Sequence, residues 1–167
     1  MKCKCASCPT HACYTKGVNC TGVPHEEVKA AYTEEELKIM EAAAYVEGTF
    51  YSNICRLQET AEFARAMGYK KLGMAFCIGL SEEAKYIARY FEREGFEFYS
   101  VCCKNCSFPK SELGLKQVKP ELTHEAMCNP KFQARFLGEA GTELFISCGL
   151  CVGHDTSFNA NGKGPVS

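Results

Sequence analysis

The apolar residues in the second half of the chain predict a small α/β sheet. Three short apolar runs, at residues 71–78, 96–102 and 142–148, have the length of buried strands. Helical patterns with capping signals begin at Ser81 and at Asn129-Pro130, between these runs. Because strands and helices alternate, we expect a small, mainly parallel sheet with right-handed crossovers, flanked by helices.

A long amphipathic helical region precedes the first predicted strand. Thr33 and Glu36 have the spacing of a capping box at its start, and Gly68 is placed to end it. We expect Gly48 to divide the region into two helices. Cys55 is isolated on this region and is interpreted as a packing residue.

The first 30 residues are rich in cysteine and poor in aliphatic side chains, so they cannot bury a core of their own. A metal commonly stabilises such a segment, which predicts a metal-binding module at 1–30 and an α/β domain at 31–167. Redox-active or simply reduced thiols are the alternative. Cys3 is an additional thiol here. The four candidate ligands, suited to zinc or an iron-sulfur cluster, are Cys5, Cys8, Cys13 and Cys20.

Charge and hydropathy exclude several classes of partner. The 19 basic and 20 acidic residues leave a net charge of -1, which disfavours binding to nucleic acid or to an anionic membrane. The most apolar run, residues 72–80, is far shorter than the roughly 20 residues of a membrane-spanning helix. The N-terminus lacks the apolar segment of a signal peptide. We therefore predict a cytoplasmic protein.

This compartment changes the interpretation of the 13 cysteines. Structural disulfides are rare in reducing compartments, and the odd number of cysteines also disfavours a disulfide scaffold. Metal ligands or reactive thiols are the better explanation.

Cysteines follow each of the three predicted strands, where parallel sheets bind their ligands. One more, Cys128, precedes the helix at Pro130, whose N-terminus favours a thiolate. His154 is a candidate ligand or proton donor, although a surface role is an equal alternative. The loop lysines Lys110, Lys116 and Lys119 are interpreted as solubilising charge. The candidate cysteines are Cys77, Cys102, Cys103, Cys106, Cys128, Cys148 and Cys151.

Thiolate ligands select zinc, copper(I) or iron-sulfur clusters over magnesium, calcium or manganese. More than four thiols are expected at the sheet edge, which favours an iron-sulfur cluster, 4Fe-4S in particular, over zinc. The first hypothesis is therefore a redox or sulfur-handling protein with a redox protein as partner. The alternatives are a zinc-stabilised regulatory module and a thiol-disulfide switch within the Cys103/Cys106 or the Cys148/Cys151 pair. Reaction, substrate and oligomeric state are left open.

Three segments resemble a family of prokaryotic cysteine-rich proteins that are described as metal-binding. They are the Cys5-x-x-Cys8 opening, His124-Glu-Ala-Met-Cys128-Asn-Pro, and Cys148-Gly-Leu-Cys-Val-Gly-His-Asp155. The resemblance covers nearly the whole chain and implies metal binding and occurrence in anaerobes, but no particular reaction. It also implies that members continue past Gly164 into another strand, so we expect a chain that is truncated at its C-terminus.

Overall fold

The computed structural model describes residues 4–167, which divide into two compact units with a boundary between Glu41 and Ala42. Cys3 lies outside the described residues. The predicted boundary at residue 30 stays a prediction. The first unit contains a short 3-10 turn, two short helices and the start of a long one: Cys5–Ser7, α1 (Ala12–Thr15), α2 (His25–Ala30) and α3 (Glu34–Phe50).

The predicted capping box at the start of α3 is confirmed. The backbone N–H of Thr33 donates to the Glu36 carboxylate at 2.8 Å. The backbone N–H of Glu36 donates back to the Thr33 hydroxyl at 3.2 Å. These bonds satisfy amide groups that have no partner within the first helical turn.

The helical region breaks later than the sequence predicts. Gly48 lies inside α3, so its prediction as the dividing residue is wrong. A glycine weakens a helix by about 1 kcal/mol without having to end it. The break falls at residues 51–55, where Ser52 has a positive φ of 57°, and α4 (Arg56–Met67) follows. Gly68 ends α4 in the left-handed conformation, as predicted.

The second unit contains the predicted small parallel sheet flanked by helices. The three strands are β1 (Lys71–Phe76), β2 (Glu97–Cys102) and β3 (Leu144–Cys148). Their order in the sheet is β2-β1-β3, and β1 pairs in parallel with both neighbours. The helices that follow them are α5 (Ser81–Arg93), α6 (Pro130–Glu139) and α7 (His154–Asn161). The sequence patterns predict α5 and α6 but not α7.

Each face of the sheet has its own hydrophobic core, because side chains alternate between the faces along a strand. On one face, Leu72 and Leu144 pack with Ala64 of α4 and Phe91 of α5. The other face is covered by α6 and α7, with these buried residues: Ala75, Ala134, Leu137, Phe145 and Phe158. Because the three strands are parallel, their carboxyl ends lie together at one edge of the sheet.

The last residues run alongside β3. Val166 forms an isolated parallel bridge with Phe145, and the backbone N–H of Ser147 donates to the carbonyl of Ser167 at 3.0 Å. No helix within residues 4–167 is both long and apolar enough to cross a membrane.

Candidate functional site

Five cysteines lie around the carboxyl ends of the three strands. Cys102 and Cys148 occupy the last positions of β2 and β3, and both pair in register with Phe76, the last residue of β1. The pairing continues one residue further, since Cys77 N–H donates to the Cys148 carbonyl at 3.1 Å. We call the group the edge cluster, and its members are Cys77, Cys102, Cys103, Cys128 and Cys148.

Cys103 and Cys128 form the most buried pair of the edge cluster. The Cys103 side chain is 2% exposed, and its sulfur accepts a hydrogen bond from Ile78 N–H at 3.3 Å. It is also hydrogen-bonded to the Cys128 thiol. Burial is the main cause that raises the pKa of Cys103 to about 12; the nearby Cys128 and Cys102 act in the same direction, and the Ile78 N–H hydrogen bond acts against them. Cys103 is therefore a neutral thiol at pH 7.

A second pair consists of Cys77 and Cys148. Burial raises the pKa of Cys148, and the nearby charges of Glu83 and Cys77 act in the same direction. Glu83 lies in the first turn of α5, so this pair is bordered by a carboxylate. As with Cys103, burial therefore favours the protonated form of Cys148.

Gln133 connects the strand ends to α6. Its side chain is fully buried, and its amide nitrogen donates to the carbonyls of Phe76 at 3.2 Å and Val101 at 2.7 Å. Its amide oxygen is buried and has no partner among the described residues. Sequence reasoning missed this residue. Its position on the buried stripe with Ala134 and Leu137 is the signal that could have identified it.

Asn105 connects the same region from the loop after β2. Its side-chain N–H groups donate to the Cys102 carbonyl at 2.9 Å and to the Asn129 carbonyl at 3.1 Å. Asn129 is the N-cap of α6, and its backbone N–H donates to the Cys103 carbonyl at 2.8 Å. These bonds explain how Cys128, far along the chain, reaches the end of β2.

The remaining sheet-edge candidates lie in the loops after β2 and β3 and at the start of α7. Cys106 is exposed in the left-handed conformation, with a φ of 64°, and its thiol donates to Asn105 Oδ1 at 3.3 Å. Cys151 is exposed in the loop after β3. His154 begins α7, and its Nδ1 is buried without a hydrogen-bond partner in the described part of the chain. Their roles as ligands stay predictions.

Cys55 is not a packing residue, which corrects its interpretation. It is exposed and occupies the N-cap of α4, where its backbone N–H donates to Gln58 Oε1 at 3.0 Å. An N-cap accepts polar side chains more readily than a core position does. Cys55 is therefore a suitable control for substitutions of the cysteines in the edge cluster.

The interpretation of Lys110 as solubilising charge is also wrong, because Lys110 forms an ion pair. Its side chain is 15% exposed and lies 2.5 Å from the carboxylate of Glu125. Glu125 also accepts the backbone N–H groups of Val118 and Lys119, at 2.8 and 2.9 Å. The Lys110 hydrogen bond, together with these amides, lowers the pKa of Glu125 to about 2. Glu125 thus organises the loop that leads to Cys128.

This ion pair predicts a pH-dependent loop. The folded-state pKa of Glu125 is below the ordinary value of 4.5, so its stabilisation is complete above pH 4.5 and declines as the pH falls toward 2. We expect the amides of Val118 and Lys119 to keep their hydrogen-exchange protection down to about pH 3 and lose it near pH 2. In Glu125→Gln they should be less protected at every pH above about 3.

Glu121→Gln is the matched control, because Glu121 is exposed in the same loop. NMR-detected exchange at several pH values measures both variants. Wild-type protection in Glu125→Gln would contradict the role of the carboxylate.

In the N-terminal unit, the Cys5-x-x-Cys8 segment forms a tight turn. The backbone N–H of Cys8 donates to the Cys5 carbonyl at 3.0 Å. The pKa of Cys8 is lowered by hydrogen bonds from the backbone N–H groups of Thr10 and His11 and from the Thr10 side chain. These donors stabilise a thiolate.

The other two N-terminal candidates are also open to solvent. Cys13 is exposed within α1, and the exposed Cys20 donates its thiol to the Val18 carbonyl at 3.4 Å.

The chemistry of the donors and their arrangement lead to different conclusions about a metal. Thiol sulfur is the ligand that zinc, copper(I) and iron-sulfur clusters prefer. Every cysteine in residues 4–167 is free of disulfide. However, no three His, Cys, Asp or Glu side chains in this described range are grouped so that they could hold one metal ion. The structure brings thiols together in pairs rather than in a complete ligand set.

Comparison with known proteins now identifies the family. Residues 17–167 match the family described as a protein of unknown function, DUF1847. The chain belongs to this family. It is also 45% identical to an uncharacterized protein of Methanocaldococcus jannaschii, over 98% of this chain and 84% of the relative. No solved structure gives a significant match.

The family match includes the whole edge cluster but begins after Cys5, Cys8 and Cys13. Neither the family description nor the name of the archaeal relative mentions a metal, a cofactor or a reaction.

Proposed function

We propose that this chain is a cytoplasmic metal-thiolate protein whose edge cluster binds an iron-sulfur cluster, with 4Fe-4S favoured. The role would be redox chemistry or sulfur handling, with another redox protein as partner. The observation that supports this proposal is the gathering of five thiols from four separate segments at the carboxyl ends of the strands. Ligands of open parallel sheets bind at this edge.

The protonation of the thiols favours a ligand role over catalysis by free thiolates. Burial raises the pKa of both Cys103 and Cys148, and a protonated thiol is a weak nucleophile. A bound metal displaces the thiol proton, so a raised pKa does not prevent ligation.

A complete site requires movement in the loops, because the described thiols are paired. The strand ends are fixed by the sheet, whereas Cys151 lies between Gly149 and Gly153, which have positive φ values of 59° and 83°. Glycines at such positions let a loop change its path at low cost. Cys106, Cys151 and His154 are therefore the residues that we expect to complete the ligand set.

Anaerobic purification followed by a visible spectrum and metal analysis tests this proposal. We expect a brown protein with equal amounts of iron and acid-labile sulfide, since clusters of this type contain both. The matched variants are Cys103→Ser, which should lose the visible absorbance, and Cys55→Ser, which should retain it. Colourless protein without iron would overturn the proposal.

A zinc site in the N-terminal unit is the second candidate. The observation that favours it is the pair of backbone N–H groups that stabilise the Cys8 thiolate beside the Cys5 turn. Four thiolates, from Cys5, Cys8, Cys13 and Cys20, would match the tetrahedral preference of zinc. Zinc without sulfide in the same metal analysis would support a zinc-stabilised module.

A further inference from the structure

The Cys103 and Cys128 thiols lie within hydrogen-bonding reach of each other although they are far apart in sequence. Each belongs to a backbone that is fixed near the other. Cys103 N–H donates to the Phe76 carbonyl at 2.9 Å, and its own carbonyl accepts Asn129 N–H at 2.8 Å. On the other side, the Lys104 ammonium donates to the Ala126 carbonyl at 2.8 Å. The two cysteines are thus held together by bonds on both sides, independently of their sulfurs.

The Cys-x-x-Cys spacings suggest other partners, and the structure does not favour them. Cys106 is exposed, and its thiol donates to Asn105 rather than to Cys103. Cys148 interacts with Cys77 and Glu83, whereas Cys151 is exposed in the following loop. Sequence proximity therefore does not identify the thiols that are in contact.

We propose that Cys103 and Cys128 form a reversible disulfide bond with each other when the protein reacts with a low-molecular-weight disulfide, which is the oxidant. Cys128 reacts first because it is the more exposed of the two. Its thiolate attacks one sulfur of the oxidant and releases one thiol, which leaves a mixed disulfide. The buried Cys103 thiol then attacks the Cys128 sulfur more slowly, because it must first lose its proton; the departing sulfur takes up a proton and leaves as the second thiol. The two protein thiols lose two electrons and two protons, and the oxidant is reduced to two thiols.

The bond would also regulate the edge cluster. It removes two sulfurs from the set available to a metal, so oxidation and metal binding compete at Cys103 and Cys128. This competition rests on the proposed metal function, whereas the disulfide itself does not. The two can therefore fail separately.

The test uses the full chain, reduced and treated with a chelator, with circular dichroism to verify that its helices persist. Oxidised glutathione is added, the remaining thiols are alkylated, and crosslinked peptides are identified by mass spectrometry. We expect the Cys103–Cys128 crosslink to exceed any Cys103–Cys106 crosslink by more than about tenfold, because prepositioned groups react as if highly concentrated. In urea this preference should disappear, since the shorter loop then closes more easily.

Cys106→Ser is the matched variant, and it should form the same crosslink at the wild-type level. Cys128→Ser should prevent it. A native chain that links Cys103 to Cys106 or to Cys102, or that stops at a glutathione adduct on Cys128, overturns the proposal. Loss of the crosslink in Cys106→Ser also overturns it.

Discussion

Replacing four edge cysteines with serine is expected to remove most of the iron from anaerobically purified protein. The variant carries serine at Cys77, Cys103, Cys128 and Cys148. A serine hydroxyl keeps its proton and is a poor ligand for a soft metal, so the affinity of the site should fall by at least about a hundredfold. Iron and sulfide analysis, normalised to protein, measures the loss.

A second quadruple variant tests whether the two cysteine groups bind independently. Serine at Cys5, Cys8, Cys13 and Cys20 should remove zinc and leave iron unchanged. The same edge positions changed to alanine distinguish loss of ligands from the burial of new hydroxyl groups, since Cys103 is almost completely buried. Unchanged iron in both edge variants, with folded protein, would contradict the proposed location of the cluster.

Phe145→Ala is expected to cause a large loss of stability. Phe145 is fully buried in β3, and its ring lies 6.2 Å from that of Phe158 in α7. Truncation of a buried phenylalanine costs about 3–5 kcal/mol, through lost apolar contact and the cavity that remains. For a chain of this size, each 1 kcal/mol lowers the melting temperature by about 2–4 °C.

Phe136→Ala is the matched control on the same side of the sheet. The Phe136 side chain is 38% exposed on α6, so its truncation should cost less than about 1 kcal/mol. Urea denaturation of the wild type and of both variants measures the difference. Equal costs for the two substitutions would show that Phe145 is not buried beneath α6 and α7.

The parts of the fold that were predictable depend on local signals. Apolar runs of strand length, the Thr33 capping box and the proline at the start of α6 all report chemistry within a few residues, and the structure contains each of them. The sequence patterns did not predict α7, whose eight residues, from His154 to Asn161, lack a clear apolar stripe. The prediction that Gly48 divides the helical region failed because the free-energy cost of a glycine within a helix is small compared with the contribution of tertiary packing.

The candidate site also has a part that the sequence predicts and a part that it does not. The order of strands and helices was enough to predict that cysteines after β1, β2 and β3 share one edge, because parallel strands end on the same side. The pairing of these cysteines was not predictable. Cys128 reaches Cys103 through the Asn129 and Asn105 hydrogen bonds, and Glu125 organises the loop before it through Lys110.

The order of residues along the chain was sufficient to predict a small parallel α/β sheet with thiols after its strands. Which thiols pair, which are buried and which remain exposed became known from the folded chain. The difference lies in the distance along the sequence over which each interaction acts. Helix caps and strand patterns act between neighbouring residues, whereas burial and sulfur contacts depend on how distant segments pack.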